Sequence, residues 1–105
     1  MGADPASPTM KRLTTVHFQR ISKALADPHR CEILEWLAPR GELSCMDLTE
    51  RLPVTQATVS HHLKELSNAG LLACRRQGQF AYYRVCSEVI EAYLDELRRR
   101  VCVQR

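Results

Sequence analysis

The stretch Thr55–Leu72, TQATVSHHLKELSNAGLL, reads as a helix whose start and stop are both written in the sequence. The Thr55 hydroxyl can accept from the free amides of a first helical turn, and Gly70 sits where helices end in a left-handed residue. Between them Val59, Leu63 and Leu66 recur at i, i+4 and i+7, a stripe that predicts one buried face. The opposite face carries Ala57, His61 and Lys64, flanked by Thr58 and Ser60, with Gln56 in the first turn. These groups are small, polar or cationic, the donors and acceptors of low bulk that a helix needs to meet base edges in a major groove. A merely solvated amphipathic helix shows the same pattern, so the neighbouring segments decide.

Upstream, Ser44 can cap a short helix running to about Leu52, with Asp47 as its capping-box partner, and Pro53 ends it. The order is helix, tight turn, helix. Downstream, Leu71 to Arg76 and Phe80 to Val85 read as two strands joined through Gln77-Gly78-Gln79, where Gly78 supplies a turn conformation that other residues resist. Arg75, Arg76 and Arg84 crowd this hairpin, and a two-stranded wing of that kind reaches phosphates or a minor groove. The expected fold is mainly α: a winged helix-turn-helix of five helices and a two-stranded β-hairpin. Gln56, Thr58, Ser60, His61, Lys64, Arg75, Arg76 and Gln77 are the candidate DNA-contacting residues.

The remaining helices are legible from their caps and stripes. Thr14 to Ala26 forms a first helix with Phe18, Ile21 and Leu25 on one face. Asp27-Pro28 starts a second, running to about Ala38 with Ile33, Leu34 and Leu37 turned inward. Ser87 caps a last helix whose Val89, Ile90, Tyr93, Leu94, Leu97 and Val101 line a broad apolar strip. A small core cannot easily bury that strip together with the first helix's stripe. A two-fold symmetric homodimer answers this economically; closure of both strips onto the monomer core is the alternative.

Composition sets limits. A chain of 105 residues is one domain with room for a modest core. Its net charge of +3 is far from histone-like. Residues 55–85 hold Lys64, Arg75, Arg76 and Arg84 against Glu65 alone, while cations and acids balance on either side. The excess therefore sits on the helix and wing that a phosphate backbone would meet. Residues 1–12 are Pro-, Ala- and Ser-rich without an apolar run and read as a flexible arm, leaving 13–105 as the domain. No stretch approaches a membrane span, and a cytoplasmic protein is expected. His61 and His62 are adjacent, but the sequence places no acid or nucleophile with them and offers no Gly-rich phosphate loop, so an enzyme is not expected.

Three segments together, ALADPHRCEIL (24–34), TVSHHLKELSNAGLL (58–72) and RRQGQFAYYRV (75–85), resemble the ArsR/SmtB family of bacterial metal-sensing winged-helix repressors. The resemblance covers roughly residues 13–102. It implies a homodimer built on the first and last helices, bound to an imperfect operator palindrome on double-stranded DNA and released by an inducer. The chain departs from the family's inducer sites. Relatives that sense arsenite or cadmium often carry Glu-Leu-Cys-Val-Cys-Asp-Leu, whereas this chain has Glu42-Leu43-Ser44-Cys45-Met46-Asp47-Leu48, with Ser44 and Met46 at the two ligand positions. Zinc-, nickel- and cobalt-sensing relatives use His and Asp on the last helix. Here Glu88, Glu91, Asp95 and Glu96 stand without a His, read as a solvated face balanced by Arg98, Arg99 and Arg100.

Five cysteines remain, none spaced as a zinc knuckle. Cys74 alternates with strand residues and is read as core; Cys45, beside the turn, is left open between core and site. Cys31 lies in a first helical turn beside His29 and Arg30, a setting that enriches thiolate, and Cys102 ends the last helix after three arginines. With Cys86 as a third sulfur, these are the candidate metal ligands. Soft thiolates select arsenite, antimonite, cadmium or mercury. Two thiolates without a third suit a redox or persulfide sensor instead. No cofactor is expected for folding, the As(III), Sb(III) or other thiophilic ion acting only as inducer. A regulator with purely structural cysteines, or a winged helix docking on a protein partner, are the competing classes.

Overall fold

Each helix before the wing begins at a side chain that accepts from its first turn. The computed structural model describes residues 12–102. Helix α1 (Thr15–Ala24) starts at Thr14, whose Oγ1 accepts from the His17 amide at 3.0 Å. Helix α2 (Pro28–Arg40) starts at Asp27, whose Oδ1 accepts from the amides of His29 at 2.8 Å and Arg30 at 3.2 Å. Helix α3 (Cys45–Arg51) carries the reciprocal pair expected of it: Ser44 Oγ accepts from the Asp47 amide at 3.0 Å, and Asp47 Oδ2 from the Ser44 amide at 3.1 Å. Helix α4 (Gln56–Asn68) starts at Thr55, which accepts from the Thr58 amide at 3.2 Å.

The end of α4 is a closed turn. Gly70 has φ of +84°, the Leu71 amide donates to the Leu66 carbonyl at 3.0 Å, and the Gly70 amide donates to Ser67 at 2.9 Å. Two carbonyls that the helix would leave without partners are thereby satisfied, and the flanking Leu66 and Leu71 are both fully buried. The chain then enters a sheet of β1 (Leu43–Ser44), β2 (Leu72–Gln77) and β3 (Phe80–Val85), antiparallel in the order β1-β3-β2. The β2–β3 hairpin reverses at Gly78 and Gln79, with Gly78 at φ +62°. Helix α5 (Ser87–Val101) closes the described chain. Ile21 of α1, Ile33 and Leu37 of α2, Leu48 of α3 and Val59, Leu63 and Leu66 of α4 form the fully buried centre. The architecture is a winged helix-turn-helix.

Several details differ from expectation. The wing has a third strand, since Leu43 and Ser44 pair with Tyr83 and Tyr82. Two residues are too few to show alternation, and Ser44 serves as strand and helix cap at once. Ser87 is the first residue of α5, not its cap; the boundary residue is Cys86, which makes no side-chain capping bond. Cys86 is fixed there by its backbone, the amide donating to Leu71 at 2.9 Å while its carbonyl accepts from Val89 and Ile90. Cys74, read as core, is exposed, as is the rest of β2 from there to Gln77.

Glu96 is the largest departure. Read as part of a solvated face, it is only 1% exposed. Its carboxylate accepts from Arg12 Nε at 3.0 Å, Arg99 Nη1 at 2.7 Å and Arg100 Nε at 2.7 Å. Arg12 comes first among the guanidinium groups that hold this carboxyl down at about 2. The arginine stems provide the cover, since aliphatic stems pack while charged heads pair. Arg100 also donates to Thr15 Oγ1 at 2.9 Å and lies over the Phe18 ring, 4.5 Å from its centroid, so the end of α5 is tied to the start of α1. Of the expected 1–12 arm, only Arg12 falls among the described residues.

Gly70 offers a direct check. A Cβ built there would lie 3.2 Å from His17 Nε2, which itself donates to the Ala69 carbonyl at 2.8 Å. Gly70→Ala is expected to cost about 1–2 kcal/mol for the left-handed backbone, plus the displaced His17 bond. In urea unfolding the penalty should be smaller when the same change is made in a His17→Ala background; equal penalties would show that the ring is not the obstacle.

Candidate nucleic-acid interface

With Val59, Leu63 and Leu66 locked in the core, α4 has no freedom to hide its other side. Gln56, Ala57, Ser60, His61 and Lys64 are all exposed. Thr58 is half-buried and its hydroxyl accepts from Thr55 Oγ1 at 3.0 Å, which leaves it less free than its neighbours. Ser60 Oγ lies 3.6 Å from Cys45 Sγ, joining the polar face to the start of α3.

The same helix is pinned from behind. His62 is buried against the first turn of α2. Arg30 Nη1 donates to His62 Nδ1 at 3.3 Å while Arg30 Nε donates to the Ala24 carbonyl at 2.7 Å. A guanidinium has no acceptor, so His62 Nδ1 must be unprotonated and the neutral ring carries its proton on Nε2, facing Asp27 Oδ1 at 3.8 Å. Burial is the main cause that lowers the His62 imidazole below its ordinary value. Asp27 opposes it, while Arg30 and the neighbouring His61 and His29 add to it. Sequence reasoning gave His62 no role, because its burial depends on α2, more than thirty residues away.

On the wing, the three arginines differ. Arg75 is fully engaged: Nη2 and Nε donate to the two Glu42 oxygens at 2.8 and 3.0 Å, and Nη1 donates to Gln77 Oε1 at 2.6 Å. Its guanidinium also lies 4.7 Å from the Tyr82 ring centroid. Arg75 and Gln77 therefore hold each other and Glu42. Among the described residues no carboxylate lies within 4.0 Å of Lys64, Arg76 or Arg84. Arg76 and Arg84 are exposed, so these two are the wing cations open to an external anion. Glu42 went unremarked in this role because nothing local links it to a partner 33 positions on.

The thiols are dispersed. Cys31 is half-buried and its Sγ–H donates to the Leu25 carbonyl at 3.1 Å. Cys86 is half-buried, and burial pushes its thiol up, with Glu88 adding to the effect. Cys102 is exposed at the end of α5. Among the described residues of one chain, no three His, Cys, Asp or Glu side chains are grouped so as to hold a metal ion. Cys31, Cys86 and Cys102 are thus not gathered into a three-donor site within a protomer.

A helix-turn-helix domain model matches residues 25–75. The chain is 39% identical to the arsenical resistance operon repressor of Bacillus subtilis over 79 residues, 75% of either chain. It belongs to the ArsR/SmtB family. An ArsR-like transcriptional regulator from Rhodococcus sp. RHA1 superposes with a TM-score of 0.73 at 30% identity, covering 80% of this chain and 78% of that one. The homodimeric winged helix-turn-helix DNA-binding domain Mb0332 from Mycobacterium bovis superposes with a TM-score of 0.66 at 25% identity, over 90% and 94% of the two chains. This ArsR/SmtB chain is a transcriptional regulator and not an enzyme. Among its described residues no helix is long and apolar enough to cross a membrane.

His62 makes stability depend on pH. Its pKa is lower in the fold than the ordinary 6.5, so acid favours the unfolded chain, which takes up the proton more readily. The stabilisation from a neutral His62 is present above that value and is lost as pH falls through the folded one. Urea midpoints should therefore drop between about pH 7 and about pH 5, and His62→Gln should flatten the drop. An equally steep profile in the variant would assign the titration to another group.

Proposed function

We propose that the protein is a homodimeric repressor that lays one α4 from each protomer into the major groove of an operator palindrome, with Arg76 and Arg84 of each wing on phosphates. The exposed face of α4 carries this reading: Gln56, Ser60, His61 and Lys64 are presented outward, and Lys64 has no carboxylate partner among the described residues. Arg75 and Gln77 take a positioning role, Thr58 a contact limited by its bond to Thr55.

Dimerisation is supported by apolar surface on the first and last helices. Phe18 stacks on Tyr93 at 5.1 Å and Tyr93 Oη sits 2.9 Å from Ser22 Oγ, so α1 and α5 are packed together. Val16, Leu94 and Val101 are nevertheless exposed, Val16 and Val101 by about two thirds. A second copy seated on α1 and α5 would cover them, as the homodimeric relative from Mycobacterium bovis suggests. Two reading helices related by a two-fold axis then require half-sites about one helical turn apart.

For the inducer we propose a thiophilic species, arsenite or antimonite above all, in keeping with the arsenical resistance repressor of Bacillus subtilis. It would engage Cys31 and Cys102, with Cys86 as a third sulfur, across the subunits. Thiolate sites bind with apparent energies on the order of 10–16 kcal/mol, against about 5.5 kcal/mol needed to convert a two-state regulator almost completely. A second reading, a thiol redox or persulfide sensor, asks for only two thiols, whereas among the described residues of one chain no three donors are grouped so as to hold a metal ion.

Two experiments follow. In salt titrations of duplex binding, Lys64→Gln, Arg76→Gln and Arg84→Gln should each reduce the slope of log K against log salt by about 0.9 per lost contact. Arg75→Gln should change it far less; a full reduction there would mean that Glu42 surrenders the arginine to DNA. Separately, arsenite should release reduced wild type from promoter DNA and act at least tenfold more weakly on Cys31→Ser. An unchanged response removes Cys31 from the mechanism, and release by a persulfide donor alone favours the redox reading.

A further inference from the structure

Helix α1 runs beside the second half of α4, and between them lies a hollow of about 640 Å³. Val16, Gln19, Arg20 and Lys23 of α1, Arg30 of α2 and Glu65 and Asn68 of α4 line it, with Val16 also on the α1 surface where a second copy would sit. Three cations face one carboxylate there. Among the described residues none of those cations has a carboxylate within 4.0 Å, whereas Arg12, Arg75, Arg98, Arg99 and Arg100 all do. Three cations gathered in a concavity against a single carboxylate raise the local potential and concentrate anions.

Arg30 gives the hollow a line to the reading helix. Its Nε is spent on the Ala24 carbonyl and its Nη1 on His62 Nδ1, which fixes the guanidinium plane at the junction of α1, α2 and α4. Among the described residues its Nη2 makes no hydrogen bond. A planar guanidinium beside two further cations suits the oxygens of a phosphate group. Glu65 disfavours a ligand that is anionic on every side and favours one with a hydroxyl donor beside its phosphate.

We propose that this hollow is an anion site for a phosphate-bearing ligand, with Arg30 carrying its occupancy to His62 on α4. The phosphate has two sources: a small hydroxylated phosphate ester, or a backbone phosphate of a duplex lying along α4. The duplex source alone rests on the DNA-binding reading above. The site is separate from the cysteines and needs no metal.

The test uses the full chain, with Arg20→Gln/Lys23→Gln as the variant, because both side chains are exposed and take no part in the core. Ribose 5-phosphate and inorganic pyrophosphate are titrated while the His62 ring resonances are followed by NMR. A saturable shift in wild type, weakened at least tenfold in the variant, establishes the site with a free phosphate source. This holds even if the protein binds no duplex, an outcome that would sink the DNA reading alone. If neither probe moves His62, but the variant lowers the salt slope on a random-sequence duplex by about 0.9 per neutralised cation, the backbone supplies the phosphate. No probe binding together with an unchanged slope overturns the proposal.

Discussion

The structure depends on how α4 is seated. Val59, Leu63 and Leu66 enter the core, and His62 is held from behind by Arg30 at the point where α2 begins. A helix with one apolar stripe has one orientation that buries it, and the polar side follows without any further instruction. The contact with Arg30 removes the remaining rotational play, because a buried imidazole that lost its partner would leave an unsatisfied nitrogen. What the helix offers outward is thus fixed by what it gives up inward.

Much of this was legible in the sequence because it is local. Thr14, Asp27, Ser44 with Asp47, and Thr55 each satisfy amides two or three residues away, so the helix starts could be read from neighbours alone. The ends drifted more: α2 runs to Arg40, through Pro39, beyond the expected Ala38. The contacts that were not legible join distant residues. Glu42 and Arg75 are 33 positions apart, and Arg12 and Glu96 are 84 apart. No periodicity marks such pairs; only the fold brings them together. Cys74 was misplaced for a related reason: alternation shows which strand residues share a face, but not whether anything covers that face.

Charge shows the same division. Counting residues locates the positive excess on α4 and the wing, and that remains true of the sequence. Pairing redistributes it. Arg75 pairs with Glu42, while Arg12, Arg99 and Arg100 share the single negative charge of Glu96, and Arg40 and Arg51 both lie over the Trp36 ring. Among the described residues the uncommitted cations are Lys64, Arg76 and Arg84, together with Arg20 and Lys23 of α1, a helix whose segment is balanced by count. Formal charge per segment is therefore a poor guide to the surface potential once partners are known.

The turn at Gly70 has a mechanical consequence. Its two backbone bonds close the junction within a single residue, and Leu71 on the far side is as deeply buried as Leu66 on the near side. There is no slack between α4 and β2. The end of the helix and the root of the hairpin are thereby coupled, so a displacement of α4 arriving from α1, α2 or α5 is passed directly to the base of the wing.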